Sequence, residues 1–242
     1  MTNSLPLSRS YNLSRYILAL LVIGIGLTTM AAREYGPVQH MTAEAFVKGL
    51  DSLGYFKFAD PELVEELKQS HLDVFDPEGA WGGTWDEETF VPYDYRYFLC
   101  DGEAVFEAGG FTEMLDMMQP AFEKIGLQLT VDHHEETWDA ENEWLNHRIT
   151  LNGTEYIIFK NFRGYGWGEA VQRLAEILNA ELAKQALPER VYLVHGGNDG
   201  QLILLDEPLY QYFSKVFTVA EWRPLPVAEW VKVMGVAPMD LK

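Results

Sequence analysis

The chain has 242 residues, of which 48% are hydrophobic and 13% are aromatic, so it holds enough apolar material for a packed core and is not of the disordered class. Eighteen basic residues stand against 37 acidic ones, and the formal net charge of −19 argues against nucleic acid as a partner, because phosphate backbones would be repelled. The single cysteine, Cys100, excludes an intrachain disulfide.

The amino-terminal segment contains an uncharged apolar stretch, residues 16–32, which two arginines precede without any acidic residue. This length lies at the lower limit of about 17–25 residues for a transmembrane helix. The positive-inside rule places residues 1–15 in the cytoplasm. We therefore predict a single-pass anchor in the cell membrane at 16–32, a short linker over 33–40 and one extracytoplasmic domain over 41–242.

Two alternatives exist for this segment. Its strictly apolar part, residues 17–27, also suits the central region of a signal peptide, and residues 29–31 partly resemble a cleavage site, which would make the protein secreted or periplasmic. Met41 would suit the start of a cytosolic protein. Residues 1–40 carry a net charge of +2, so the rest carries −21 and is expected to contact the membrane only through its anchor.

Apolar periodicity and turn residues predict the elements of the body in chain order. Helices are predicted after Thr42, from Asp60 and Pro61, over 112–124, 167–184 and 208–216, and in one or two turns after Pro224. Strands are predicted over 96–100, 127–131, 191–194 and 202–205. The pattern indicates an α+β fold with one mostly antiparallel sheet, built from hairpins, and with helices packed mainly on one face.

The strongest local signal is a β-hairpin over residues 147–162. Its two β-rich runs are joined by Asn152 and Gly153, a pair that tight hairpin turns favour because both residues tolerate a positive φ. We therefore predict two antiparallel strands on either side of this pair.

Two stretches contain residue types that cofactor or metal sites use, and neither is predicted to be such a site. Residues 164–168 (GYGWG) open a helix, but they lack the spacing of a nucleotide-binding loop. Residues 132–143 combine His133 and His134 with carboxylates. However, adjacent residues on a strand point to opposite faces, and a calcium loop would need a central glycine, so a solvated acidic loop is expected.

No catalytic residue is predicted. Cys100 and His195 could act as a thiol and its base, but a lone cysteine after an aromatic strand is more often a small buried hydrophobe. A carboxylate-dependent hydrolase would need two acidic residues in one cleft. The acidic candidates for such a pair are Asp94, Asp101, Glu103 and Glu107.

Residues 80–95 lack the period of a helix or a strand, and we expect an ordered loop. Aromatic side chains beside acidic ones could bind a basic protein, although the rings could instead fold inward over the core. The aromatic residues are Trp81, Trp85, Phe90, Tyr93 and Tyr95, and we predict partner binding by Trp81, Trp85, Tyr93 and Tyr95. The function expected from the sequence is an inhibitor- or immunity-like protein-binding module, and the alternatives are the hydrolase or a structural envelope protein.

We expect the full-length chain in washed membranes of its native cell, because an uncleaved anchor keeps residues 1–40. The intact mass of the protein in the membrane and soluble fractions measures this. A soluble product that begins near Ala32 would instead show a cleaved signal peptide, and one that begins at Met41 would contradict export.

Overall fold

The computed structural model describes residues 41–79, 84–86 and 91–239. The predicted anchor at 16–32 lies outside these residues, and no helix within them is long and apolar enough to span a membrane. The helices are α1 (Ala43–Ser52), α2 (Val64–Val74), α3 (Gly102–Phe106), α4 (Gly110–Ile125), α5 (Trp167–Lys184), α6 (Glu207–Val216) and α7 (Val227–Met234). The strands are β1 (Trp85–Asp86), β2 (Val91–Pro92), β3 (Tyr97–Leu99), β4 (Val131–Asp139), β5 (Trp144–Leu151), β6 (Thr154–Phe162), β7 (Arg190–Val194) and β8 (Gln201–Leu205).

The antiparallel sheet β3-β8-β7 is buried on both of its faces. Strand β8 reads QLILL, a nearly continuous apolar run of the kind found in strands that are covered on both sides. Leu202 and Leu204 belong to one hydrophobic cluster, which includes α4 and α5. Ile203 and Leu205 belong to a second cluster with α1 and α6. Helices therefore pack on both faces of this sheet.

The second three-stranded sheet, β4-β5-β6, is also antiparallel and buries one face. Strand β5 shows this by alternation, since Leu145, Ile149 and Leu151 are buried while Arg148 is exposed. The buried residues belong to the same hydrophobic cluster as α4 and α5. The inner face of this sheet is thus the face that could hold a site sheltered from water.

Helix α5 lies between the two three-stranded sheets and is hydrogen-bonded to both. The side chain of Asn179 pairs with the backbone N–H and C=O of Val191 in β7, at 2.8 and 3.0 Å. On its other side, Glu181 accepts a hydrogen bond from the amide of Asn152 at 2.8 Å. These polar contacts connect the helix to β7 and to the turn between β5 and β6.

The predicted mixture of helices with antiparallel strands is confirmed, but the prediction of one sheet with helices mainly on one face is wrong. The described residues form one two-stranded and two three-stranded sheets. The reason is the apolar composition of β7 and β8, which requires cover on both faces. Strand periodicity does not reveal how strands are shared among sheets.

Helices that were predicted from caps and apolar spacing are confirmed. Thr42 caps α1, and its hydroxyl oxygen accepts the N–H of Ala45 at 3.2 Å. The helix over 167–184 has the predicted ends, and α4 begins two residues before the predicted range of 112–124. Asp60 does not cap α2. Its carboxylate instead binds the hydroxyl of Tyr95, and the helix begins only at Val64.

Two predictions between α4 and the hairpin are wrong. Residues 127–130 are irregular rather than a strand, because the backbone of Gln128 bonds the side chain of Gln185 instead of a neighbouring strand. Strand β4 covers most of the stretch 132–143 that was expected to be a solvated loop. A run of charged residues can form an edge strand because one face and one edge of the strand stay in water.

The predicted hairpin turn is confirmed, and a buried carboxylate holds it. Asn152 and Gly153 both have positive φ, 51° and 75°, as a tight hairpin turn requires. Glu181 is only 1% exposed and accepts hydrogen bonds from Asn152, Tyr156 and Lys184. Burial raises the pKa of Glu181, but the three hydrogen bonds outweigh it, so the pKa is lowered overall.

We expect Glu181→Gln to lower the free energy of unfolding by about 1–3 kcal/mol, because an amide has one acceptor oxygen for three donors and no charge for Lys184. The folded state lowers the pKa of Glu181 below its ordinary 4.5, so this stabilisation is present above that pH and is lost as the pH falls. Urea unfolding at neutral and acidic pH measures both effects. The exposed Glu155 provides the control variant Glu155→Gln, and equal losses in the two variants would contradict the assignment.

Candidate metal centre

Two histidines and one glutamate meet on the inner face of the sheet β4-β5-β6. His134 and Glu136 are two residues apart on β4, so their side chains share a face. His147 on β5 pairs directly with Glu136 in the strand register. One possible ligand atom from each residue lies within 4.8 Å of the others. The cluster therefore offers two imidazole nitrogens and one carboxylate oxygen to a single point.

The two imidazole rings are already in contact. The Nε2 atoms of His134 and His147 are 2.8 Å apart, a hydrogen bond in which one nitrogen must carry the hydrogen and the other must accept it. His147 is only 4% exposed. Burial, followed by the charge of His134, lowers the pKa of His147 to about 4. His147 is therefore neutral at neutral pH, the form that ligates metals.

The spacing of the two nitrogens is close to that in a metal site. Zinc binds imidazole nitrogen at about 2.0–2.1 Å in tetrahedral geometry, which places two such nitrogens about 3.3 Å apart. The rings would need to separate by about 0.5 Å, a small side-chain movement. The ring of His147 is held between Phe111 and Phe159, with ring centroids 5.6 and 6.3 Å away.

Glu136 links the cluster to the beginning of α4. Its Oε2 accepts the backbone N–H of Gly109 at 3.1 Å. Gly109 has a φ of 85°, a left-handed conformation that glycine adopts without strain, so the chain can turn its N–H toward the carboxylate. A hydrogen bond of this kind orients a ligand, and the carboxylate keeps a second oxygen for a metal.

The cluster is sheltered on one side and reachable from the other. His147 lies on the central strand of its sheet and is buried, whereas His134 and Glu136 lie on the edge strand and are half-buried. Solvent therefore reaches the cluster across the edge of β4. A metal held here would be covered by protein on the side of β5 and would keep a solvent-accessible position on the side of β4.

Three of the four aromatic residues that are predicted to bind a partner lie within the described residues. Trp81 lies outside the described residues. Trp85 is half-buried and packs against the rings of Tyr97 and Phe98, each at 6.0 Å. Tyr93 is half-buried against the second hydrophobic cluster. Tyr95 donates to Asp60 at 3.1 Å, and the ammonium group of Lys124 lies 4.6 Å from its ring. Their role in binding a partner stays a prediction.

The acidic candidates for a hydrolase have structural contacts. Asp94 is fully buried and accepts hydrogen bonds from the hydroxyl of Tyr55 and the backbone N–H of Arg96. Asp101 caps α3 by accepting the N–H of Glu103 at 2.9 Å. The side chain of Glu103 accepts a long hydrogen bond from Asn198, and Glu107 ends α3. Asp94 thus lies in the core while Asp101, Glu103 and Glu107 lie at α3.

Cys100 and the glycine-rich stretch also have structural roles. Burial raises the pKa of the Cys100 thiol to about 12, so it stays protonated and is a poor nucleophile at neutral pH. The ring of His195 stacks on Trp222 at 4.3 Å.

Gly166 precedes α5 with a φ of 62°, and a Cβ at this position would collide with the ring of Phe106. The glycine is therefore required for packing.

Sequence reasoning missed the cluster although part of its signal was present. Adjacent His133 and His134 do point to opposite faces, but His134 and Glu136 have the spacing that places two ligands on one face. The third ligand, His147, can be identified only from the register in which β4 pairs with β5. Asp139 pairs with Trp144 across a four-residue turn, which brings His147 opposite Glu136. Only the pair His134 and Glu136 can therefore be found from the sequence without knowledge of the fold.

Comparisons of the chain with protein-family models, with curated proteins and with solved structures give no match. Function is therefore inferred from the geometry of the three side chains and from the way the two strands and the beginning of α4 hold them.

We expect Asp94→Ala to lower the free energy of unfolding by about 3–5 kcal/mol, because the buried Arg96 would lose a nearby negative charge and its backbone N–H would lose its acceptor. Urea unfolding measures the loss. Asp116→Ala, at an exposed position of α4, should change the stability by less than about 0.5 kcal/mol. A fully stable Asp94→Ala protein would contradict the structural role.

Proposed function

We propose that the protein binds one divalent transition-metal ion, with zinc preferred, through His134, Glu136 and His147. The observation that carries the proposal is the convergence of two imidazole nitrogens and one carboxylate oxygen within 4.8 Å. Two histidines and one glutamate are a known ligand set of zinc sites that keep a position open.

The types of ligand support zinc over the hard cations. Calcium takes six to eight oxygen ligands and magnesium prefers oxygen with several waters, so two imidazoles suit neither. Imidazole suits zinc, copper, nickel and iron, and two histidines with one carboxylate also hold iron(II) in some enzymes. We favour zinc because it needs only the tetrahedral geometry that three protein ligands and one further donor provide.

The hydrogen bond between the rings supports the ion as well. The Nε2 atoms of His134 and His147 already face each other at 2.8 Å. The ring that carries the shared hydrogen must move it to its Nδ1 before both Nε2 atoms can offer a lone pair to the metal. His147 is uncharged at neutral pH because its pKa is about 4, so it carries no second proton that the metal must displace. The rings of Phe111 and Phe159 keep this ligand in place.

The partial exposure of the cluster supports an open site rather than a closed structural one. Three protein ligands leave a fourth position on zinc for water or for a donor atom of another molecule. Zinc-bound water has a pKa of about 7 and is therefore a source of hydroxide at neutral pH. The reaction class that fits such a site is metal-assisted hydrolysis.

Metal binding by these three residues does not depend on what is expected of other parts of the chain. The anchor at 16–32 and the export of the body stay predictions. The binding of a basic protein by Trp81, Trp85, Tyr93 and Tyr95 also stays a prediction.

We expect the full-length protein, purified without a histidine tag and freed of metal by a chelator, to bind Zn²⁺ with 1:1 stoichiometry in a calorimetric titration. His134→Ala and His147→Ala should each weaken binding at least about 100-fold, because each removes one of three ligands. His133→Ala is the matched control, since it removes the neighbouring, exposed imidazole from the opposite face of the same strand. Glu136→Gln should also weaken binding, because it replaces the carboxylate ligand by a neutral amide, and Glu135→Gln is its matched control.

Thermal unfolding separates loss of metal binding from loss of folding. Zinc at about 100 times its Kd should stabilise the wild-type protein by about 2.7 kcal/mol, whereas the same concentration should stabilise His134→Ala by only about 0.4 kcal/mol or less. Equal effects of His133→Ala and His134→Ala, or a wild-type protein that binds no zinc, would overturn the proposal.

A further inference from the structure

The indole ring of Trp138 lies next to the candidate metal centre, on the same face of the sheet. Trp138 follows Glu136 by two residues on β4, so both side chains point to the inner face. Its register partner, Leu145, is buried in the core, which confirms this direction. Trp138 is nevertheless 62% exposed. The indole of Trp138 is therefore open to solvent at the edge strand, while its neighbour Leu145 is covered.

The course of α4 explains why Trp138 is exposed. The helix begins beside Glu136, where Gly109 donates its N–H to the carboxylate. After the helix ends, the carbonyl of Gln128 accepts a hydrogen bond from Asn152 at the hairpin turn. Helix α4 thus covers the sheet from the metal centre toward the turn, and within the described residues no helix covers Trp138. The exposed indole thus directly follows the metal ligands along β4.

The residues beside the metal ligands form an apolar row across the sheet. Trp138, Leu145 and Phe162 are paired in register on the three strands. The neighbouring row contains Glu136 and His147. Two residues along a strand span about 7 Å, roughly the length of a six-membered ring with one substituent. The indole N–H is the only polar side-chain group that these three residues provide, which favours an aromatic ring over a sugar, whose hydroxyl groups would need hydrogen-bonding partners.

We infer that Trp138 and the metal centre form one binding site for a small molecule that carries an oxygen-donor group on an aromatic ring. The oxygen donor takes the open position on the metal, and the ring stacks on the exposed indole. The inference rests on the proposed metal function and assigns Trp138 as a residue that determines specificity.

The test compares two zinc ligands that differ in their ring, benzohydroxamate and acetohydroxamate. Both are titrated by calorimetry into the zinc-loaded full-length protein and into free Zn²⁺. We expect benzohydroxamate to bind the wild-type protein at least fivefold more tightly than acetohydroxamate, beyond any preference of free zinc. In Trp138→Ala this preference should fall to that of free zinc, and Trp138→Phe should keep part of it.

The control variant is Tyr165→Ala, which removes another strongly exposed aromatic side chain outside β4 and should keep the full preference. Because Trp138 is exposed, its removal is not expected to unfold the protein, and zinc affinity measured first verifies that the metal centre is intact. If Trp138→Ala binds zinc normally and keeps the preference for the aromatic compound, the inference is wrong and the metal function stands. If the wild-type protein binds no zinc, the proposed function fails before either hydroxamate is added.

Discussion

The register in which β4 pairs with β5 is the constraint on which the candidate site depends. It places Glu136 opposite His147 and brings His134 within hydrogen-bonding distance of the same imidazole. A shift by one residue would turn every side chain of β4 to the other face, so His133 and Glu135 would replace the two ligands. Burial of Leu145, Ile149 and Leu151 keeps β5 in its orientation, and thus apolar packing holds a polar site.

The helices connect the sheet that carries the site to the rest of the described chain. Helix α5 is bonded to β7 through Asn179 and to the hairpin through Glu181, so the two three-stranded sheets share one helix as their common layer. Helix α4 begins at the site, where Gly109 meets Glu136. The core and the site are therefore not separate parts, because the same helices that bury the apolar faces also orient the ligands.

Local elements were largely predictable because their causes are local. The ends of α5 follow from apolar spacing over 167–184, and the turn at Asn152 and Gly153 follows from residues that accept a positive φ. Predictions failed where the outcome depended on distant contacts. Asp60 was expected to cap a helix, but it binds Tyr95 instead. The charged stretch that became β4 was expected to be a loop, because its strand partner determines its structure.

The sequence by itself determined the acidity of the chain, the apolar amino-terminal stretch, most helices and the hairpin, since these depend on composition and on neighbours along the chain. Only the tertiary structure decided that strands form separate sheets, that Asp94 is buried, and that His147 joins His134 and Glu136. Pairing between strands joins residues that are distant in sequence, and burial selects the register that covers the most apolar surface. The apolar periodicity of one strand does not indicate which strand pairs with it or in which register. For this reason the metal centre can be identified only from the folded chain.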